Sequence, residues 1–315
     1  MSVMLTGANG FIGKELTTDL LKRGYNITAV VRNAGGLISL SALTLQQLST
    51  FDSSELSRLD FQHVDCIIHL AARAHVLSDT GTASLDAFRK VNTEATLDLA
   101  CLAAAAGVKR FIFLSSIGVN GISNTKPFNI EDSPAPVEHY AISKWEAEIG
   151  LKQIAIDTGM EVVTIRPPLV YGPDAPGNFG KLTKLAQKNL PLPLGAIHNK
   201  RSLVALDNLL DLIITCINHP KAANQTFLVS DDQDISTTEL LQMMTLAAGK
   251  KPWLVPFPLS WLSLAAKLTG KQAVMDRLCG NLQVDISHTK ETLGWTPPIT
   301  VEEGIKRCFI EEKLC

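Results

Sequence analysis

Three side chains set the chemistry. Tyr140 and Lys144 stand four apart in Tyr140-Ala141-Ile142-Ser143-Lys144, and Ser116 follows the apolar run Phe111-Ile112-Phe113-Leu114-Ser115. Residues four apart share one face of a helix, so the phenol and the ammonium project together. Moving a hydride to or from a carbinol carbon also requires moving a proton on its oxygen. A free phenol, with a pKa of about 10, is a poor base at neutral pH. A nearby ammonium favours the phenolate and lowers that value, so Lys144 is expected to make Tyr140 more acidic. Ser116 is expected to hydrogen-bond the reacting oxygen and stabilise charge on it. A lone Y-x-x-x-K occurs on many exposed helices, so its weight depends on the elements around it.

Those elements begin at the N-terminus. The apolar run Val3-Met4-Leu5 enters T-G-A-N-G-F-I-G at 6–13, and helical spacing follows over 11–23, with Gly24 where a helix stops. In a strand–turn–helix context, Gly7 permits a tight turn, Gly10 lets a pyrophosphate approach the backbone, and Gly13 lets the helix pack on the strand. The N–H groups of Gly10, Phe11, Ile12 and Gly13 then face phosphates at the positive end of the helix dipole. Further strands are expected at 27–31, 64–70, 110–114 and 161–165, and helices at 85–106 and 140–158. This alternation predicts an α/β fold, a Rossmann-type doubly wound parallel sheet. Ser116 then lies beyond a strand's carboxyl end, where ligands of such sheets bind, and Lys144 also reaches a nicotinamide ribose.

The end of the second strand bears on the cofactor. A carboxylate there suits the ribose diol of NAD, whereas an arginine suits a 2′-phosphate. This chain has Arg32-Asn33 nineteen residues past Gly13 and no acid. NADP acceptance is therefore one reading and a solvated arginine the other. Asp52 is read equally as a contact to the adenine amine or as a solvated loop acid.

The second half is less regular. Helices are expected at 207–217 and 237–248 and a strand at 226–229. The division expected is a dinucleotide-binding domain over 1–166, joined by parts of 201–230, and a smaller, partly discontinuous substrate domain over 167–315. With 29 basic and 31 acidic groups and a net charge of −2, no clustered basic face suggests nucleic acid. The six cysteines (66, 101, 216, 279, 308 and 315) form no C-x-x-C pair. No metal site is expected, and reduced thiols fit the cytoplasm. No secretory signal is visible, and the apolar stretch 253–268, broken by Pro256 and Pro258, is too short to span a bilayer.

The chain resembles the extended short-chain dehydrogenases/reductases, in particular their nucleotide-sugar epimerase/dehydratase branch. The likeness rests on the glycine turn, H-L-A-A at 69–72, V-N-T at 91–93, the serine segment and Y-A-I-S-K. It continues through R-P-P-L-V-Y-G-P at 166–173, R-S-L-V-A-L-D-N at 201–208 and L-G-W-x-P at 293–297. The resemblance implies NAD or NADP as cofactor and a UDP-sugar as substrate. It implies that Leu70, Ala71 and Ala72 line the cofactor, with Asn92 supporting the site and Pro167 near the nicotinamide. It also implies that Asn178, Arg201 and Arg277 hold the nucleotide diphosphate, and that the two helices 85–106 and 140–158 pair in a homodimer. For Arg277 a plain surface charge is the other reading.

Three positions depart from the family pattern. Sugar 4,6-dehydratases carry an Asp-Glu pair directly after the serine, where this chain has Ile117 and Gly118, so loss of water is not expected. Leu169 replaces a frequent asparagine, and Arg32 replaces the acid usual in NAD-retaining 4-epimerases. The implied function is C4 epimerisation of a UDP-hexose, UDP-glucose or UDP-N-acetylglucosamine. The alternative is NADPH-dependent reduction of a UDP-4-keto-sugar, and the segment 69–76 fits a subgroup linked to UDP-N-acetylhexosamines. A third reading, a non-enzymatic dinucleotide sensor, has no need of the Ser116, Tyr140 and Lys144 trio.

Overall fold

A computed structural model describes residues 1–33, 42–73, 84–270 and 272–310. The end of the 69–76 segment and Cys315 lie outside the described residues. The strands are β1 (Ser2–Thr6), β2 (Asn26–Val31), β3 (Leu43–Gln47), β4 (Cys66–His69), β5 (Arg110–Leu114), β6 (Glu161–Arg166), β7 (Leu169–Tyr171), β8 (Leu203–Ala205) and β9 (Thr226–Leu228). The helices of the first half are α1 (Phe11–Lys22), α2 (Ser53–Leu56), α3 (Leu85–Arg89), α4 (Ala95–Ala105) and α5 (His139–Thr158). Those of the second are α6 (Gly177–Lys188), α7 (Leu206–Asn218), α8 (Thr237–Ala247), α9 (Leu259–Leu268), α10 (Gln272–Cys279), α11 (Ser287–Leu293) and α12 (Val301–Arg307).

Seven strands form one parallel sheet in the order β3-β2-β1-β4-β5-β6-β9, and β7 pairs with β8 in a separate parallel ribbon. Alternate residues along each central strand enter opposite cores, as the pleat requires. Val3, Leu5, Ile68 and Ile112 join Leu16 and Leu20 of α1 and Leu209 and Ile213 of α7 on one face. Met4, Ile67, Phe111 and Phe113 join Leu99 and Ala103 of α4 and Leu151 of α5 on the other. The sheet is therefore buried on both sides. The chain returns to it after residue 200, because α7 covers one face and β9 extends the edge. A third core around Tyr171, Phe179, Leu203, Leu240, Met244 and Ile305 holds α6, α8 and α12 together.

One expected element differs. The helix over 85–106 is not continuous: Lys90–Glu94 forms a π-helical turn between α3 and α4. Such a turn inserts a residue and re-aims the side chains that follow, often at a functional site. Here it carries Asn92.

Candidate active site

The glycine turn brings three backbone segments together. Gly7 has φ +72°, and a Cβ there would lie 2.9 Å from the nitrogen of Ala71. Gly13 is tighter still, since a Cβ would sit 2.1 Å from the Gly7 carbonyl oxygen and 2.8 Å from the Ala8 Cα. Only glycine allows α1 to approach β1 this closely. Gly10 caps α1 without a side chain, and its own N–H donates to Gly7 O at 2.9 Å. The N–H groups of Phe11, Ile12 and Gly13 have no intrahelical acceptor and stand at the positive end of the helix dipole. This cradle fits a dinucleotide pyrophosphate.

The edges of the cradle are set by side chains. Asn9 Nδ2 donates to Asn33 O at 3.2 Å, which ties the turn to the end of β2. Arg32 is exposed beside it, and its carbonyl accepts from Gln47 Nε2 at 3.1 Å. Gln47 thus ties the end of β3 to the end of β2, a contact that the sequence did not announce. Asp52 has a local task there: it caps α2, accepting from Ser54 N at 3.2 Å and Glu55 N at 3.3 Å. The Thr50 and Ser54 hydroxyls and these amides hold its carboxyl down at about 2. Leu70 and Ala71 are half-buried and Ala72 is exposed on the loop after β4, against the glycine turn.

Beneath that loop lies a buried hydrogen-bond chain. His69 Nδ1 meets Thr6 Oγ1 at 2.7 Å, and Nε2 meets Thr96 Oγ1 at 2.9 Å. Thr6 Oγ1 also accepts from Ala71 N, and Thr96 Oγ1 donates to Asn92 O. The donors therefore assign His69 as the neutral Nε2–H tautomer. Burial, reinforced by Lys144, pushes its pKa well below the usual histidine range. Asn92 is fully buried. Its Oδ1 accepts from Arg73 N at 2.7 Å, and Nδ2 donates to Arg73 O at 3.1 Å and Ser143 Oγ at 3.0 Å. It clamps the loop after β4 to the helix that bears Tyr140 and Lys144.

The trio lies where the end of β5 meets the first turns of α5. Lys144 is 1% exposed, its Nζ donates to Leu114 O at 2.8 Å, and it lies 6.0 Å from the Tyr140 ring centre. Ser116 follows two residues after Leu114. Its Oγ accepts from Gly118 N at 3.1 Å, and a Cβ on Gly118 would lie 3.2 Å from the Ala141 Cβ and 3.3 Å from Ser116 Oγ. The serine turn therefore packs directly against the first turn of α5. Ile117 is buried, so neither position after Ser116 presents an acid to the crevice. Pro167 is buried, and its carbonyl accepts from Ile117 N at 2.9 Å.

The electrostatics correct one expectation. Burial pushes the Tyr140 phenol up to about 12, so in the protein alone Lys144 does not make it more acidic. Burial also brings the Lys144 ammonium down to about 7, against the opposing pull of the Glu148 carboxylate. Both shifts follow from desolvation, which favours the uncharged form of each group.

A buried ion pair underlies this turn and was not foreseen. Arg166 Nη2 donates to Glu148 Oε2 at 2.6 Å, with both side chains 5% exposed. Arg166 Nη1 donates to Asn120 Oδ1 at 2.9 Å, and the Ser115 hydroxyl donates to Glu148 Oε1. Glu148 lies four residues past Lys144, so its spacing was legible as a shared helix face, whereas its arginine partner was not.

Of the implied diphosphate contacts, two are neighbours. Arg201 Nη1 donates to Arg277 O at 2.8 Å and Gly280 O at 3.1 Å. Arg277 is exposed, and its Nη2 donates to Glu138 Oε1 at 2.5 Å, just before Tyr140. Asn178 is exposed in the first turn of α6, and no described contact joins it to either arginine. Leu169 begins β7 and is 38% exposed. Among the described residues no cluster of His, Cys, Asp and Glu has the makings of a metal site, and no helix is long and apolar enough to cross a membrane.

Comparisons with known proteins agree with this geometry. Residues 3–230 match the profile of the NAD dependent epimerase/dehydratase family. A UDP-glucose 4-epimerase from Vibrio cholerae is 48% identical over 97% of this chain and 94% of its own length. An N-acetyl-α-D-glucosaminyl-diphospho-ditrans,octacis-undecaprenol 4-epimerase from Escherichia coli O157:H7 is 26% identical, over 97% and 93%. In fold, the chain is similar to a crystal structure of UDP-glucose 4-epimerase with UDP-glucose from Thermotoga maritima. The TM-score is 0.79 at 23% identity, covering 98% of this chain and 97% of that one. With the glycine cradle, the buried lysine beside the tyrosine and matches that span the sheet, this chain belongs to the NAD-dependent epimerase/dehydratase family.

Proposed function

We propose that the protein inverts C4 of a UDP-activated hexose by reversible oxidation. The observation that supports this reading is the packing of the Ser116 turn, at the end of β5, against the first turn of α5, which carries Tyr140 and Lys144. Both sequence relatives are 4-epimerases by name, although one acts on a sugar carried by a nucleotide and the other on a sugar carried by a lipid diphosphate. The reaction is thus shared between them, and the greater identity of the first favours a UDP carrier.

Gly10 to Gly13 would hold the pyrophosphate of a dinucleotide, and Pro167 would lie near its nicotinamide. Such a dinucleotide would supply positive charge beside the site and a carbon that takes up the C4 hydride and gives it back. Tyr140 Oη takes the proton from the 4-hydroxyl and gives it back after the sugar turns over. Because burial holds the phenol high, Tyr140 is well set as the returning acid. Its role as base depends on positive charge close to the ring, which Lys144 supplies in its ammonium form. Ser116 Oγ hydrogen-bonds the same sugar oxygen. Arg201 and Arg277, neighbours through the bond from Arg201 Nη1 to Arg277 O, would pair with the diphosphate.

The exposed Arg32, with no acid beside it, favours acceptance of NADP and keeps a second reading in play, NADPH-dependent reduction of a UDP-4-keto-sugar. Two assays separate the readings. Purified protein that releases stoichiometric NAD on denaturation and interconverts UDP-glucose or UDP-N-acetylglucosamine with its C4 epimer supports epimerisation. Reversible filling by NADPH with net reduction of a 4-keto-sugar supports the reductase. In either case Tyr140→Phe is expected to lower turnover by about 10²–10⁴-fold while dinucleotide binding by calorimetry is unchanged.

A further inference from the structure

The region between α8 and α10 carries an apolar surface that the active site does not use. Trp253, Val255, Phe257 and Leu259 are exposed along an extended approach to α9, with Trp253 at 61%. On α9 itself, Trp261, Leu264 and Leu268 are exposed at 65%, 56% and 81%, at the spacing of one helix face. The surface is built rather than frayed. Leu254 bridges Leu192, Leu192 N donates to Trp253 O at 3.1 Å, and Val255 N donates to Leu192 O at 2.8 Å. This pairing turns Trp253 and Val255 outward together. The Phe257 and Trp261 rings meet edge to face with centres 6.4 Å apart, and exposed Leu190 adjoins from the neighbouring segment.

The segments that build this surface are rich in lysine, with acids only at their ends, at Asp174, Asp207 and Asp276. Over 248–275 the chain has four lysines and no acid, and over 175–206, the segment paired with it, four more lysines and again no acid. Lys181, Lys184, Lys188, Lys250, Lys251 and Lys267 are all exposed, and the Lys250 ammonium reaches Gln187 O at the end of α6. The whole chain carries a net charge of −2, so this concentration of lysine is local. Tryptophan, phenylalanine and leucine flanked by lysines suit the boundary between anionic headgroups and acyl chains. Three prolines at 252, 256 and 258 prevent the approach to α9 from lengthening into a spanning helix.

We propose that this face docks the protein on the surface of an anionic phospholipid bilayer, without spanning it. The proposal is independent of which sugar is bound, because none of its residues belongs to the catalytic or cofactor site. The full-length protein is mixed with vesicles of phosphatidylcholine alone, or of phosphatidylcholine with phosphatidylglycerol, and sedimented. Binding to the anionic vesicles only, with a blue shift of tryptophan emission and release by added salt, is the expected result. Trp261→Glu combined with Leu264→Glu is expected to weaken that binding by about tenfold or more. Its circular dichroism and turnover of a soluble UDP-sugar are expected to stay unchanged. No sedimentation with either vesicle, or equal sedimentation of the double variant, overturns the proposal. Concentration-dependent self-association that the double variant abolishes also overturns it, because a second copy then covers the face.

Discussion

Lys144 is asked for two things that oppose each other. Burial beneath β5 brings its ammonium down to about 7, yet the reaction needs that ammonium beside the phenol. A lysine whose folded pKa lies below its unfolded value binds fewer protons when folded. Between about pH 7 and the ordinary lysine value, stability therefore rises with pH as this group's penalty is relieved. The lowering from 10.5 to about 7 is worth at most about 5 kcal/mol. Lys144→Met removes that penalty but strips Leu114 O of its donor, which costs about 1–3 kcal/mol. The expected outcome at pH 6 is a variant about 2 kcal/mol more stable by urea titration and without turnover. Because turnover needs the ammonium, kcat/KM is expected to fall as pH rises through about 7. A flat profile from pH 6 to 9 would remove Lys144 from the proton chemistry. At the cofactor edge, Arg32→Asp is expected to weaken NADPH binding more than NADH binding in a fluorescence titration. Equal affinities before and after the change would leave Arg32 without a role there.

At the scale of elements, the N-terminal half of α5 is held by contacts from three directions. Glu148 pairs with Arg166 at the end of β6 and accepts the Ser115 hydroxyl at the end of β5, while Asn92 reaches Ser143 from the π turn. The pair is almost fully buried, so deleting one partner leaves an uncompensated charge and costs about 3–5 kcal/mol. Arg166→Met is expected to lose stability on that scale. Glu148→Gln is expected to move the alkaline fall of kcat/KM to lower pH, because Glu148 opposes the lowering of Lys144. The spacing of Tyr140 to Lys144 and of the three glycines was legible because helix period and steric exclusion act within one turn. The Arg166 partner of Glu148, the clamp at Asn92 and the cap at Asp52 were not. Each depends on which strands become neighbours or on how a helix is interrupted, and no local period encodes that. The burial of the tyrosine was not legible for a related reason: spacing reports the nearby ammonium but not the desolvation that pushes the phenol up.

At the scale of the molecule, the chain returns after residue 200 to cover one face of the sheet with α7 and extend its edge with β9. Arg277 on α10 reaches Glu138 at the start of α5, so the two halves meet beside Tyr140. On α5, Ile149 and Ile156 are 52% and 68% exposed and seven residues apart. We expect a homodimer through α4 and α5. Sedimentation equilibrium should give twice the chain mass, and Ile149→Asp with Ile156→Asp should give one. A monomeric parent protein would contradict that assembly.

The central claim is that the hydrogen on the sugar's C4 leaves as a hydride, is kept, and returns to the opposite face. Epimerisation of a UDP-hexose run in deuterated water and read by proton NMR tests it directly. The account predicts the C4 epimer with no deuterium at C4, formed about 10²–10⁴-fold more slowly with Tyr140→Phe. Deuterium at C4 of the product, or an unchanged rate of conversion by the phenylalanine variant, would contradict it.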